Sequence, residues 1–294
     1  MRKYIAAVLT AGICWGFMGF FTRNLNNYGI GTEGAIILRC GVAAISFALL
    51  MLLKDPKTFK IRLKDAWCFI GSGLLSLLFF TFCYFNAISM MSLSAAAILL
   101  YIAPSVVTII SAVLFKEKIT PVKVVAVLLS FAGCCLVSGI AGGVAITLKG
   151  LLFGVGSGVG YAFYTIFSRF ALDRGYSSNT INFYSCLLAS AGAALIWNPA
   201  PSVTAMFSSA PALAWCLAAG IVTCFVPYLL YTYSLTGLEN GKASVIASIE
   251  PVTASVVGIC IFNEIPSLWS LLGIVMVLGA IVLLNIKLPG RELT

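Results

Sequence analysis

The sequence has no histidine and few acidic residues. Nine Asp and Glu occur among 294 residues, and charged residues of both signs make up only 9% of the chain. The absence of histidine excludes imidazole-based acid–base chemistry and the common histidine-ligated zinc sites. A soluble domain of this length would carry about a quarter charged residues. Because 61% of the residues are hydrophobic, the composition is that of an integral membrane protein.

Patterns that bind metals or nucleic acids are also missing. The ten cysteines lie almost wholly within apolar segments and include no C-x-x-C pair, so buried, unreactive thiols are expected. The net charge is +9, but the basic residues flank the apolar segments and form no patch with interleaved aromatic residues. We therefore expect no metal, no cofactor and no nucleic-acid partner.

Ten apolar segments are long enough to cross a bilayer. A transmembrane helix needs about 20 mainly apolar residues, and the connections between these segments are mostly short. The sequence therefore predicts an all-α, polytopic membrane protein whose function lies in its helical bundle. The predicted spans are about 4–22, 33–53, 66–88, 93–115, 121–140, 150–168, 179–197, 212–234, 241–262 and 267–286.

The two halves of the chain resemble each other. "LLYIAPSVVTIISAVLFKEKI" aligns with "IASIEPVTASVVGICIFNEIP", which pairs Pro104 with Pro251 and Glu117 with Glu264. Near the start of each half, "WGFMGFFTR" aligns with "YAFYTIFSR". These matches predict two copies of a five-helix repeat, residues 1–145 and 146–294.

Because five is odd, the second repeat must cross the membrane in the opposite sense to the first. Lys and Arg concentrate in cytoplasmic loops, and 15 of the 18 basic residues lie at the termini or in the even-numbered loops. Five of them lie at 54–64, between spans two and three. We therefore predict a cell-membrane protein with both termini cytoplasmic. Inverted repeats of this kind are typical of secondary transporters.

The sequence resembles the drug/metabolite transporter superfamily, in its EamA-type branch of ten-helix transporters. The resemblance covers essentially the whole chain. It depends on "CWGF", "ILRCG", "AAAILLYIAP" and "FKEKI" in the first half, and on "ASVIASIEP", "IFNEI" and "LLGIVMVLGAIVLL" in the second. The second half departs at Tyr161 and Ala162, where the family often has Trp-Gly, and at Ser185, which aligns with Arg39. These departures break the symmetry of any site between the halves.

Pro104 and Pro251 predict interrupted helices at equivalent places in the two repeats. A proline inside a helix removes a hydrogen bond and clashes with the preceding turn. Within a membrane, such a break is tolerated where protein or a water-filled cavity satisfies the freed carbonyl groups. Paired interruptions favour a transport site, and the alternative is a packing kink in each helix.

Glu250 and Arg39 are the charged residues deepest in the predicted spans. A charge near the bilayer centre costs about 2.5–3.5 kcal/mol by insertion measurements, so Glu250 should face the bundle interior. Glu250 could pair with Arg39, bind a substrate cation, or exchange a proton during transport. Arg39 could bind a substrate carboxylate, or it could snorkel or tie its helix to neighbouring carbonyls. Arginine at this place is common in the resembled family, which favours a structural role.

Aromatic residues within the spans are candidates for the wall of a central cavity. Trp15 aligns with Tyr161, and a tyrosine hydroxyl or indole N–H inside a membrane needs a partner. Such rings could hold an apolar side chain or a cation, and the alternative is lipid-facing packing. The predicted substrate-binding residues are Trp15, Phe17, Arg39, Tyr84, Tyr101, Tyr161, Tyr231 and Glu250.

Two further features suggest moving parts. Glycine pairs at i, i+4, such as Gly12 with Gly16 and Gly154 with Gly158, allow close helix approach. From them we predict contact between spans one and six as a pivot. Glu117 and Glu264 end equivalent spans, which indicates a shared structural role such as pairing with a neighbouring helix end or latching a gate.

The features together predict a secondary active transporter that works by alternating access. The resemblance implies export of small metabolites, such as amino acids or related amphipathic compounds. The alternative is an importer or exchanger of another small solute, such as an organic cation. The expected partners are a small-molecule substrate, the lipid bilayer and a coupling ion such as a proton. Without histidine or a clustered acid–base set, an enzyme is not expected.

Overall fold

The regular structure is entirely helical in the part of the chain described by the computed structural model, residues 1–90, 93–137, 147–263 and 265–285. Two segments are π-helical, Gly71–Leu78 and Ile221–Phe225. The α-helices are α1 Arg2–Gly16, α2 Met18–Asn26, α3 Thr32–Lys54, α4 Ala66–Ile70, α5 Phe79–Met90, α6 Leu93–Leu100, α7 Ala103–Leu114, α8 Pro121–Val137, α9 Leu148–Asp173, α10 Ser178–Ile196, α11 Ala200–Met206, α12 Ala210–Gly220, α13 Val226–Leu235, α14 Asn240–Ala247, α15 Ile249–Phe262 and α16 Leu268–Asn285.

These helices form the ten spans that the sequence predicts. Eight described stretches are both long and apolar enough to cross a membrane, and Ala103–Leu114 and Pro121–Val137 are shorter apolar helices. The fourth span is made of α6 and α7 together, and the fifth is α8. The all-α architecture of ten spans is therefore confirmed. The predicted boundary between the repeats, between residues 145 and 146, lies in the segment 138–146, outside the described residues.

The fourth and ninth spans are broken at equivalent positions, as the prolines predict. Helix α6 ends at Leu100 and α7 begins at Ala103, while α14 ends at Ala247 and α15 begins at Ile249. Pro104 and Pro251 lie buried in the first turns of α7 and α15. A proline is tolerated there because the first amide groups of a helix lack intrahelical partners anyway.

Helix contacts connect the two halves in a symmetric pattern. Helix α1 packs on α13, α14 and α15 of the second half, and α9 packs on α5, α6 and α7 of the first. Helix α3 pairs with its repeat equivalent α10, and α8 pairs with α16. This set of contacts maps onto itself when the halves are exchanged, so the halves interlock about a pseudo-two-fold axis. The interface between the repeats therefore runs through the middle of the bundle.

The glycine pairs pack against the broken spans of the opposite half. The prediction that they bring spans one and six together as a pivot is therefore wrong. A Cβ atom added at Gly12 would lie 2.4 Å from Ile249 Cγ2, and one at Gly158 would lie 2.6 Å from the Leu99 carbonyl oxygen. Each glycine lets its helix approach the backbone of the interrupted span in the opposite half. The motif marks a close approach, but it does not say which helix comes close.

Candidate functional site

Trp15 lies at the centre of an aromatic cluster between the halves. Its side chain is only 4% exposed. Its ring centroid lies 5.3 Å from that of Tyr228, 5.4 Å from Tyr231 and 6.3 Å from Tyr161. Because α1 supplies Trp15 while α9 and α13 supply the tyrosines, the cluster forms only when the two repeats pack together.

These rings line a small enclosed space, here called the aromatic cavity. Its volume is about 10 Å³ for the centre of a water-sized sphere, which is room for about one water molecule. A metabolite therefore cannot enter without movement of the rings, so this conformation is closed at the cavity. The lining residues are Trp15, Ser76, Leu77, Phe80, Tyr161, Tyr164, Thr165, Tyr228 and Tyr231.

Glu250 lies beside the cavity in the first turn of α15. The Tyr161 hydroxyl donates a hydrogen bond to Glu250 Oε2 at 3.1 Å. No ion pair within 4 Å includes Glu250 in the described part of the chain. A carboxylate is favoured at the positive end of a helix dipole, so the half-helix α15 supplies part of the stabilisation that a cation would otherwise give.

Tyr84 and Tyr101 lie near Glu250. Both phenols interact electrostatically with the Glu250 carboxylate. The Tyr84 ring also lies 6.1 Å from that of Phe80, which contacts Tyr161 at 5.5 Å. These two tyrosines therefore lie near Glu250 and do not line the aromatic cavity.

The Phe17 side chain does not line the aromatic cavity. It packs against a separate apolar cluster that includes Phe21, Leu38 and Cys216. Among the predicted substrate-binding residues, the structure therefore places Trp15, Tyr161 and Tyr231 on the cavity and leaves Phe17 away from it. Two positions along a helix carry a side chain to nearly the opposite face, and the backbone of Phe17 stays near helical, so its side chain points away from that of Trp15.

Arg39 lies in α3 and forms no ion pair with Glu250. Its Nε atom is buried without a hydrogen-bond partner. Its charge nevertheless acts through space on Glu250 and Tyr228. The aligned residue in the second half, Ser185, instead shares a 2.5 Å hydrogen bond with Ser72. The Arg39 guanidinium therefore lies near the site, and its Nε can still donate a hydrogen bond.

A buried polar network behind the cavity was not predicted from the sequence. The Tyr164 hydroxyl donates to Asn182 Oδ1, and Thr232 Oγ1 also donates to that oxygen at 2.9 Å. Asn182 Nδ2 in turn donates to the Tyr228 carbonyl oxygen at 3.1 Å. The only sequence signal is an asparagine, Asn182, within an apolar predicted span. The network fixes the tyrosines of α9 and α13 relative to α10.

Glu117 connects a helix end of the first half to the second half, as its repetition indicates. Glu117 Oε1 accepts a hydrogen bond from the Asn240 amide at 2.7 Å, at the start of α14. Lys123, which is 4% exposed, pairs with Glu117 at 3.3 Å and with Glu239 at 2.8 Å. The equivalent Glu264 lies outside the described residues.

Metal-ligand clusters are absent from the residues that the structure describes: no group of three or more Cys, Asp or Glu could hold an ion. The cysteine thiols are free. Cys186 and Cys224 approach to 3.9 Å between their sulfur atoms, which is much longer than a disulfide bond.

Comparison with known proteins agrees with this architecture. The sequence model of the EamA-like transporter family matches residues 2–139 and again 148–286. The chain therefore belongs to this family, within the drug/metabolite transporter superfamily. It is a multi-span membrane transporter, not an enzyme.

Similar proteins carry the same general description. A protein of Archaeoglobus fulgidus named "Uncharacterized transporter" is 28% identical over 99% of this chain and 98% of its own length. "Uncharacterized transporter YxxF" of Bacillus subtilis is 24% identical over 95% of this chain and 88% of its own length. A solved crystal structure superimposes with a TM-score of 0.80 over 96% of both chains at 17% identity, which supports the fold alone.

Proposed function

We propose that this protein is a secondary active transporter that exports small amphipathic metabolites bearing an amine, such as amino acids, by alternating access. The observation that carries the proposal is the aromatic cavity at the interface of the repeats. Beside it lies the Glu250 carboxylate, which has no ion-pair partner among the described residues. A ring-lined space suits an apolar side chain, and the carboxylate suits an ammonium group. A binding site between inverted repeats is the arrangement that alternating access requires.

The closed cavity supports a mechanism in which the halves rock about it. Helices α1 and α9 each pack on the broken span of the opposite half, so motion of one half changes the packing at both breaks. The Glu117 contact with α14 would then hold one side of the bundle shut. In the proposed cycle this contact opens when the substrate path faces that side.

Glu250 is the proposed coupling group. It is hydrogen-bonded to one wall of the aromatic cavity through Tyr161, so a substrate ammonium or a proton can occupy the same place in turn. Because the carboxylate would hold only one of the two at a time, a proton would have to bind before the substrate could leave. Arg39, whose buried Nε has no partner, is the proposed ligand for a substrate carboxylate.

A second candidate substrate class is organic cations, taken up or exchanged. It is favoured by the absence of an ion pair to Glu250 among the described residues and by the surrounding tyrosines, which suit a cation over ring faces. The two candidates differ in Arg39, because an organic cation has no carboxylate for the guanidinium to bind.

The proposed orientation places both termini in the cytoplasm of the cell. It is supported by the 15 of 18 basic residues at the termini and even-numbered loops. A Lys57→Cys variant, with exposed Cys260 changed to serine, should react with a membrane-impermeant maleimide only in inside-out vesicles. Labelling of intact cells would reverse the orientation.

Solute flux in proteoliposomes tests the proposed function. We expect an imposed proton gradient to drive accumulation of amino acids with apolar or aromatic side chains, and not of sugars or dicarboxylates. Accumulation of a quaternary ammonium compound but no amino acid would favour the second candidate. Vesicles without protein, given the same gradient, supply the background rate.

A further inference from the structure

Two connecting segments enclose a basic cleft at one end of the bundle. The residues between α3 and α4 lie against the residues that join α9 to α10, and the cleft between them has a volume of about 360 Å³. Its charged lining contains one acid, Asp55, and four basic side chains. These are Lys57, Lys60, Arg62 and Arg174.

One buried carboxylate, that of Asp65, positions the two arginines of the cleft. Asp65, which is 4% exposed, binds Arg62 Nε at 2.7 Å and Arg174 Nε at 3.3 Å. The Tyr176 hydroxyl donates to the same carboxylate at 2.8 Å. Asp65 therefore positions both cations through their Nε atoms. Arg62 Nη2 also donates to the Arg174 carbonyl oxygen at 3.4 Å, and Arg174 Nη1 donates to that of Phe170 at 2.9 Å. One Nη atom of each guanidinium is left without a hydrogen bond among the described residues.

The remaining cations of the cleft are not neutralised. Lys57 and Lys60 form no ion pair within the described residues. Ser177 and Thr180 line the cleft at the start of the 19-residue helix α10, whose first turn has no acidic residue. The positive end of a helix dipole adds to the attraction of an anion. The cleft therefore combines excess cationic charge with the N-terminus of a helix.

Exposed apolar side chains lie close in sequence to residues that line the cleft. Leu53 and Leu63, which flank this connecting segment, are 85% and 90% exposed. The Arg174 guanidinium lies 4.9 Å from the Trp67 ring, which is itself partly exposed. Exposed leucines next to lysine and arginine match the boundary between lipid tails and headgroups, where basic pockets bind anionic headgroups.

We propose that the basic cleft binds the phosphodiester headgroup of an anionic phospholipid, with the lipid tails along Leu53, Leu63 and Trp67. The headgroup would contact both halves of the protein at once. The segment from the first half is already bound to α10, because Thr180 Oγ1 donates to the Thr58 carbonyl at 2.9 Å and the Tyr184 hydroxyl to that of Phe59 at 2.7 Å. Bound lipid therefore stabilises the packing of the halves, whatever the transported substrate.

Thermal unfolding of the purified protein with added lipid tests this site. Phosphatidylglycerol should raise the unfolding temperature by on the order of 5 °C above phosphatidylcholine. A variant with Lys57→Gln and Lys60→Gln should bind phosphatidylglycerol about 30-fold more weakly, because each cation near an anionic surface contributes about 1 kcal/mol. The two lysines make no ion pair, so the variant should keep its unfolding temperature without lipid.

The matched control removes two lysines from another connection with the same predicted orientation, Lys116→Gln with Lys118→Gln. It should keep the full response to phosphatidylglycerol. Equal losses in both double variants would overturn the proposal in favour of diffuse surface charge. An equal shift with glycerol phosphate, which has no tails, would overturn it in favour of a soluble phosphate ligand. An equal shift with phosphatidylglycerol and phosphatidylcholine would overturn the proposal, because it would show that the cleft does not select an anionic headgroup.

Discussion

The Glu250→Gln variant should lose gradient-driven flux by about 10- to 150-fold. Glutamine keeps the size of the side chain and can still accept from Tyr161, but it carries no charge for a substrate amine and cannot release a proton. Hydrogen bonds to charged groups contribute about 1.5–3 kcal/mol, which corresponds to the expected loss. Initial rates in proteoliposomes with an imposed proton gradient measure it.

The Glu250 prediction includes a control and a readout that separates binding from coupling. Glu33→Gln changes an exposed glutamate in the first turn of α3 and should keep the wild-type rate. If Glu250 couples proton movement to transport, substrate exchange without a gradient should be less affected than net flux. Full net flux with an unchanged pH dependence would remove Glu250 from the coupling role.

Trp15→Ala should weaken substrate binding by about 10- to 100-fold. Each aromatic contact contributes about 0.5–1.5 kcal/mol, and a cation over a tryptophan face contributes up to about 2 kcal/mol. The substitution also removes the ring on which Tyr228, Tyr231 and Tyr161 converge. The half-saturating concentration for flux should rise accordingly, while Trp15→Phe should restore part of the affinity.

Trp269→Ala is the matched control for the tryptophan. Trp269 lies near the start of α16 and is 55% exposed, as is typical of a tryptophan at the membrane–water interface. Its removal should leave the half-saturating concentration unchanged. Equal effects of the two substitutions would show that Trp15 acts on overall stability and that the aromatic cavity is not the binding site.

Much of the architecture could be predicted because membrane spans obey a length rule. Helices of about 20 apolar residues and repeat-matched prolines located the spans and the breaks at Pro104 and Pro251. The π-helical segments at Gly71–Leu78 and Ile221–Phe225 could not be predicted. Their apolar residues fit an α-helix equally well, so no local pattern distinguishes the two kinds of helix.

The site was predictable only in part because its contacts join distant segments. The repeat alignment pairs Trp15 with Tyr161, and the structure brings both rings to one cavity with Tyr231. The network of Asn182, Tyr164 and Thr232 requires three spans to meet, which no local pattern specifies. The same reason explains Gly12 and Gly158, where the glycine indicates close packing and the fold decides the partner.

The most direct test of the central claim is an experimental structure of the protein with the solute that gives the highest flux. The account predicts density for that solute between Trp15, Tyr228 and Tyr231, with its amine within hydrogen-bonding distance of the Glu250 carboxylate. Density at another place, with these rings still packed as in the closed cavity, would contradict it.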